Sequence, residues 1–320
     1  MTSDFVVLKK EMTVENALEH IRKASPPKKT VYTCYITDKR KRLIGFVNAT
    51  ALLTAPLDKK IEKLMKINTV TVYTHTDREI TAKALVSCNF LSLPVLNNKQ
   101  QLVGIITFDD AITVLKEETE EDFSVMAAIT PTEVPYLKTP VLTIFKARIP
   151  WLLLLMFTAT FTGMIISAFE SALAAKVALA VFIPMLMGTG GNCGSQSSIT
   201  VIRALSLGEI KLSDTLKILV KEFKVSLICG VCLAVFEFVK IITVDRILLG
   251  GDIDIFIALT VSITLVAVVL FAKIVGAVLP LAASKLRLDP AVMASPFITT
   301  LVDTASLLIY FSVAKAILGL

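Results

Sequence analysis

PAVMASPFITTLVDTASLLIYFSVA, residues 290–314, decides how this chain is built. Its only charge is Asp303; the runs from Pro290 to Val302 and from Thr304 to Ala314 carry none. Together they are long enough to cross a bilayer, which takes about 20 residues of helix. A carboxylate at that depth costs roughly 3 kcal/mol on insertion scales, so it persists only where it faces a protein interior, a partner or a water-filled path. A path for cations is therefore the first expectation. Ser295, Thr299, Asp303, Ser306 and Tyr310 follow one another at helical spacing and share a face. Asp289 precedes Pro290 and falls near the mouth of the same helix. Pro296 is expected to loosen that helix and free the carbonyl of Val292. Pairing of Asp303 with a buried lysine such as Lys273 is the structural reading of the same acid.

Working outward, the 320-residue chain is 54% hydrophobic, with a mean hydropathy of +0.73. The excess is uneven: residues before about Phe123 are mixed and charged, and those after Ile149 are membrane-like. Two parts follow. Five spans are expected, at Ile149–Phe169, Val177–Ile202, Val225–Thr243, Ile255–Ser284 and Ala291–Ile317. Glu237 and Lys240 weaken the third, and Lys273 interrupts the fourth. The basic residues Lys138, Lys146 and Arg148, then Arg203, Lys211, Lys217, Lys221 and Lys224, then Lys285 and Arg287, all fall on one side of such a five-span chain. The opposite loops hold Glu170, Lys176, Lys240, Asp245, Arg246, Asp252 and Asp254, which are mixed or acidic. This positive-inside pattern predicts a multi-pass protein of the cell (plasma or inner) membrane, with its N-terminus cytoplasmic and its C-terminus outside. Met1–Met12 is polar and has no hydrophobic leader, which agrees. The net charge of +6 belongs to this pattern, so no nucleic-acid partner is expected.

The second span carries Pro184 and then GTGGNCGSQSS, residues 188–198. Glycine permits close helix approach and local unwinding. Asn192 and Gln196 are four apart and share a face. A packing interface with polar glue and a pore wall presenting amide oxygens are both open readings. Hard divalent cations such as Mg2+ prefer oxygen ligands and keep several waters. No histidine or cysteine cluster has ligand spacing for zinc or copper. Cys34, Cys88, Cys193, Cys229 and Cys232 are odd in number and scattered, which argues against a disulfide framework.

The soluble half contains a repeat. Tyr35-Ile36-Thr37-Asp38, a basic turn and Leu43-Ile44-Gly45-Phe46-Val47 recur as Pro94-Val95-Leu96-Asn97, a polar turn and Leu102-Val103-Gly104-Ile105-Ile106. Each copy reads strand, turn, strand, helix, after an amphipathic helix at Val14–Lys23 or Asp77–Cys88. The pair resembles a tandem CBS (cystathionine-beta-synthase-type) domain. The run Gly104-Ile105-Ile106-Thr107-Phe108-Asp109-Asp110 resembles that family's nucleotide-contact pattern, with Thr107 near phosphate and Asp110 on ribose. The first copy, Gly45-Phe46-Val47-Asn48-Ala49-Thr50-Ala51, lacks the matching acid. Asp110 also reads as an acid favoured at a helix N-terminus. The run Lys116-Glu117-Glu118-Thr119-Glu120-Glu121-Asp122 reads as a solvated helix end, or as a Mg2+ site across a dimer, since packed carboxylates repel unless neutralised.

Arg148-Ile149-Pro150-Trp151-Leu152-Leu153, the run from Pro184 to Ser198, Arg203-Ala204-Leu205-Ser206-Leu207-Gly208-Glu209, Leu279-Pro280, Asp289-Pro290-Ala291 and Pro296-Phe297-Ile298-Thr299-Thr300-Leu301-Val302-Asp303 together resemble the MgtE family of magnesium channels and transporters. The resemblance implies an α/β CBS-domain pair followed by an all-α five-helix transmembrane domain. Its divisions would be 1–122 for the CBS pair (1–56 and 57–122), 123–147 for a connecting, plug-like helix, and 148–320 for the membrane domain. It implies a homodimer whose second and fifth helices line a pore. Asp303 would bind hydrated Mg2+, with Thr299 assisting through its carbonyl, Asp289 near the cytoplasmic entrance and Asn192 on the second helix. Mg2+ would be both cargo and regulator. Asp109, Asp110, Glu117, Glu118 and Glu121 are the candidate sensor ligands, and ATP or another adenine nucleotide is a candidate ligand at Thr107 and Asp110. The family usually begins with an acidic helical domain, whereas this sequence starts at the first CBS copy. Lys116 and Lys273 also depart from its pattern.

The function so implied is Mg2+ entry down the electrochemical gradient, which the membrane potential favours by about 4.6 kcal/mol per 100 mV for a divalent ion. A Na+- or H+-coupled divalent cation exchanger uses the same acids and is the alternative. A membrane-anchored sensor without transport is a third class. No G-x-x-x-x-G-K-[ST], H-E-x-x-H or G-x-S-x-G motif occurs, so an enzyme is not expected.

Overall fold

The computed structural model describes residues 1–27, 29–67, 70–88, 90–132, 134–248, 253–293 and 295–319. Asp252 and the side chain of Ser295 lie outside the described residues. The chain forms two compact units, Met1–Glu120 and Glu121–Leu320.

The first unit contains the expected repeat. Copy one runs β1 (Val7–Leu8), α1 (Val14–Ala24), β2 (Thr33–Thr37), β3 (Leu43–Asn48) and α2 (Ala49–Thr54). Copy two runs β4 (Val72–Tyr73), α3 (Arg78–Ser87), β5 (Ser92–Leu96), β6 (Leu102–Thr107) and α4 (Phe108–Met126). Each copy makes a three-stranded sheet in sequence order, its first pair parallel and its second antiparallel. The helices begin where side chains can satisfy free amides. The Thr13 hydroxyl accepts from the Asn16 N–H at 3.3 Å, and Asp77 accepts from the Glu79 and Ile80 N–H groups at 2.8 and 3.2 Å. The two hairpins share turn chemistry. Asp38 accepts from the Arg40 and Arg42 N–H groups, and Asn97 accepts from those of Lys99 and Gln101. Lys41 and Gln100, at matching turn positions, both adopt a φ of 61°. Tyr35, Phe46, Leu96, Leu102 and Ile105 form a core shared by the two copies. Within it the hydroxyls of Tyr35 and Ser92 meet at 2.8 Å.

The second unit is helical: α5 (Val141–Ala168), α6 (Glu170–Ala175), α7 (Ala178–Ser206), α8 (Thr215–Lys240), α9 (Ile255–Lys285) and α10 (Ser295–Leu318). Helix α9 is central and packs against α7, α8 and α10, while α5 lies against α10. Among the described residues four segments are long and apolar enough to cross a membrane: Val141–Ala168, Leu212–Leu248, Ile255–Lys285 and Pro290–Leu318. Helix α7, at 29 residues, has the length, but its glycines, amides and hydroxyls dilute its hydropathy.

Three local expectations are corrected. Residues 123–147 are not one connecting helix: α4 ends at Met126, a short 3-10 turn occupies Tyr136–Lys138, and α5 begins at Val141. Pro131, Pro135 and Pro140 break the segment, because proline lacks the amide proton and disfavours helix before it. Pro296 does not loosen the last span. It is the second residue of α10, where a missing N–H costs nothing, and a separate 3-10 turn covers Pro290–Met293. The third span is longer than Val225–Thr243, because α8 continues as a π-helix over Ile241–Leu248. There Lys240 Nζ lies 2.9 Å from Glu237 Oε1 and 3.2 Å from Asp245 Oδ2, so the charges that weakened this span neutralise one another.

Candidate ion pathway

Asp303 lies about 12 Å along α10 from its first residue, at 1.5 Å per residue. The residue is half-buried, yet its Oδ1 is sealed from solvent and has no hydrogen-bond partner. No ion pair links Asp303 to Lys273 among the described residues, so the structural pairing expected for this acid is not formed. Lys273 is itself only 6% exposed on α9, and its carbonyl accepts from the Ser197 hydroxyl at 2.9 Å. The same hydroxyl lies 2.9 Å from Glu222 Oε2 on α8. Spacing along the chain gave no sign of this three-helix contact.

The remaining polar positions of α10 divide by role. Tyr310 is fully buried and donates to the Leu179 carbonyl at 3.0 Å, so it ties α10 to the start of α7. Ser306, one turn from Asp303 on the same face, is 1% exposed and its hydroxyl has no partner. Thr299 is half-buried and packs on α7: a Cβ placed on Gly191 would stand 2.9 Å from Thr299 Cγ2. A Cβ on Gly190 would stand 2.9 Å from Val302 Cγ1 and 3.0 Å from Ser306 Oγ. The glycines of α7 thus bring its backbone against the Asp303 face of α10.

Opposite these glycines, Pro184, Gly188, Asn192, Gln196 and Thr200 are exposed along α7 at intervals of four. Asn192 therefore stands on the outer face of the helix, not in its packed seam. Asp289 is exposed before the 3-10 turn, and its Oδ1 accepts from the Ala291 N–H at 2.8 Å. Asp303 and Thr299 share one face of α10, whereas Asn192 is on the exposed face of α7 and Asp289 precedes the 3-10 turn.

Three of the five soluble candidates, Asp109, Glu117 and Glu118, lie beside cations. Asp109 receives the Lys29 ammonium and the Thr107 hydroxyl, and these, Lys29 first, hold its carboxyl down to about 2. Glu118 takes Arg78 Nε, and Glu117 lies 3.7 Å from the same guanidinium. Asp110 is half-buried at the start of α4. Among the described residues no three acids, histidines or cysteines converge on a metal-sized site. Neither Lys29 nor Arg78 was singled out from sequence, since each comes from a distant segment.

A pair of CBS-type copies joined to several apolar helices, with a lone acid in one of them, defines a multi-pass membrane protein of the cation-transporter class. The divalent cation transporter family MgtE matches residues 183–313, and the CBS domain family matches residues 1–58 and 61–117. The magnesium transporter MgtE of Thermus thermophilus is 36% identical over 318 residues, covering 99% of this chain and 69% of that protein. That of Bacillus subtilis is 33% identical, covering 99% and 68%. The chain belongs to the MgtE family. It spans about two thirds of the length of these curated relatives. Among solved structures, the cytosolic domain of the Mg2+ channel MgtE in complex with ATP is similar over 36% of this chain and 46% of that one, at 35% identity and a TM-score of 0.35.

Proposed function

We propose that this chain carries Mg2+ across a membrane, passively and down the electrochemical gradient, along a path lined by α7 and α10. The observation that carries the reading is the sealed, unpartnered Oδ1 of Asp303 inside a span. A carboxylate there needs a counter-charge, and Lys273 does not supply it. A hydrated Mg2+ ion does, because it is hard, prefers oxygen and keeps its waters. Thr299 lies one turn away on the same face and contributes its carbonyl; Asp289 attracts cations to the mouth of the path.

The exposed Asn192 and Gln196 support a homodimer of five-span subunits, in which α7 is the second span and joins the four more apolar ones. Amide side chains on a membrane helix need a polar counterpart, and a second α7 with water between provides one. The N-terminus is on the cytoplasmic side in this reading. Regulatory Mg2+ is bound by Asp109, Asp110, Glu117, Glu118 and Glu121 together with acids of the second subunit, as no complete site forms among the described residues of one chain. An adenine nucleotide fits the second CBS copy through its donor set. Lys29 supplies a cation for phosphate, Thr107 a hydroxyl and Asp110 a carboxylate for ribose.

The test is Mg2+ uptake into proteoliposomes, comparing the native chain with Asp303→Asn at equal incorporation. Uptake is expected with an inward-negative voltage alone and is expected to vanish in the variant. Full uptake by Asp303→Asn would sink the pore role. Uptake that requires a Na+ or proton gradient would replace the passive path with the coupled exchanger.

A further inference from the structure

At the start of α5 the chain builds a surface that Mg2+ transport does not use. Residues 129–132 and 134–139 fold back on the helix. The Thr130 N–H donates to the Ala147 carbonyl at 3.0 Å, and the Thr139 hydroxyl, 8% exposed, lies 3.0 Å from the Val134 carbonyl and 3.1 Å from that of Pro135. Between turn and helix lies a cavity of about 120 Å³, whose lining includes the apolar Ile129, Val134, Ile144 and Ala147 together with Thr132 and Arg148. That is ample for a tetrahedral oxyanion where a single water needs about a tenth of it.

Three further observations say what covers this surface. Large apolar side chains crowd it: Tyr136 is 72% exposed, Leu137 95%, Val141 81%, Leu142 71% and Phe145 54%. Water is a poor neighbour for so continuous a patch. The charge is mainly basic, since residues 129–169 contain Lys138, Lys146 and Arg148 against a single acid, Glu133. None of the three is in an ion pair with a described residue. Finally, α5 has 28 residues and is about 42 Å long at 1.5 Å per residue, against a hydrocarbon core of about 30 Å. Its surplus, roughly two turns, places Val141–Arg148 in the headgroup layer when Ile149 onward fills the core.

We propose that this turn and the first two turns of α5 form a binding site for an anionic phospholipid headgroup, its phosphate in the cavity against Arg148 and its acyl chains over Leu137, Val141, Leu142 and Phe145. Lys138 and Lys146 add attraction from the sides. An Arg fork suits phosphate better than a point charge, which separates a shaped site from a merely basic surface. The inference needs only that α5 spans the membrane and stands if the Mg2+ path is wrong.

The chain carries its own reporter. Trp151 is its only tryptophan, and it follows Arg148 by three residues, within the first part of the span. Full-length protein is reconstituted with brominated phosphatidylglycerol or brominated phosphatidylcholine, and quenching of Trp151 gives the relative affinity. Phosphatidylglycerol is expected to be preferred by more than the roughly fivefold that one basic residue at a membrane surface supplies by charge alone. Arg148→Gln should cut the preference to what Lys138 and Lys146 supply by charge, and Arg148→Lys should lose most of the excess over the charge effect although charge is kept. Lys211→Gln, a basic residue in another loop, should leave it intact, which also controls for general charge. Equal quenching by the two lipids in the native protein overturns the proposal. So does a preference that Arg148→Lys retains in full, because that is charge without a site. Abolition of the preference by inorganic phosphate would also overturn it, assigning the cavity to free anions. Unchanged Trp151 emission without brominated lipid shows that the variants keep their fold at this end.

Discussion

Gly276→Ala tests the packing that holds the Asp303 face in place. Glycine to alanine inside a helix ordinarily gains about 1 kcal/mol of propensity. At Gly276 the sign reverses. An added Cβ would stand 2.3 Å from the Gly194 carbonyl oxygen and 3.1 Å from Ser197 Cβ. Ordinary contact begins near 3.4 Å, so α9 and α7 must part by about 1 Å, and the obstacle is backbone, which cannot rotate away. Overpacking of this kind costs about 1–3 kcal/mol, leaving a net loss of up to about 2 kcal/mol after a propensity gain of about 1 kcal/mol. The control is Gly163→Ala on α5, where nothing lies within 4 Å of the new Cβ, and where the gain of up to about 1 kcal/mol should appear. Denaturant unfolding in detergent, followed by circular dichroism, gives both values. Because Gly194 also packs on Ile298 of α10, the displacement should reach Thr299 and Asp303, and Mg2+ uptake should fall in Gly276→Ala while Gly163→Ala keeps it. If Gly276→Ala proves as stable as Gly163→Ala, the seam between α7 and α9 is looser than described and the argument fails.

Three further outcomes follow from single contacts. Tyr35→Phe removes one side of the 2.8 Å hydroxyl pair and leaves Ser92, 7% exposed, without it; a loss of about 1–3 kcal/mol is expected, and Tyr35→Phe with Ser92→Ala together should recover part of it in the same unfolding assay. Asp109 has its pKa held at about 2 by Lys29 and then Thr107, below the ordinary 3.8. A depressed acid stabilises the fold above its unfolded value and loses that contribution as pH falls from about 4 through about 2. The effect is small, because Lys29 and Asp109 are 66% and 48% exposed; Lys29→Ala should flatten the acid side of the stability–pH curve, and an unchanged curve refutes the contact. Ser306→Ala removes a buried hydroxyl that has no partner and should be neutral or stabilising in thermal unfolding; a loss above about 1 kcal/mol would mean that the hydroxyl is satisfied by water in the hydrated protein.

The repeat of the soluble half was legible because its signals are local. Asp38 and Asn97 occupy the same place in two turns, and Thr13 and Asp77 stand where a helix needs an acceptor. The membrane helices were legible from unbroken apolarity and their edges were not. The family resemblance implied one connecting helix over residues 123–147, but Pro131, Pro135 and Pro140 decide that segment, since lost amide protons interrupt a helix. Conversely, Lys240 looked misplaced inside the third span until Glu237 and Asp245 came beside it. Contacts between distant segments had no signature at all. Nothing near Asp109 announces Lys29, and nothing near Ser197 announces Glu222.

Helix α7 shows why the two readings of its glycine-rich run were never rivals. A helix has two faces, and this one uses them differently. Gly190, Gly191, Gly194, Ser197 and Ser198 are buried against α9 and α10, where only small side chains admit so close an approach. Gly188, Asn192, Gln196 and Thr200 point the other way and remain exposed. The first face brings the backbone of α7 beside Thr299 and Ser306, and so beside the turn of α10 that bears Asp303. The second could not face hydrocarbon without stranding two amides. In the proposed path, a helix that packs tightly on the acid-bearing span and turns its remaining polarity outward stands at the edge of a hydrated seam, and the low hydropathy of α7 agrees with that proposal.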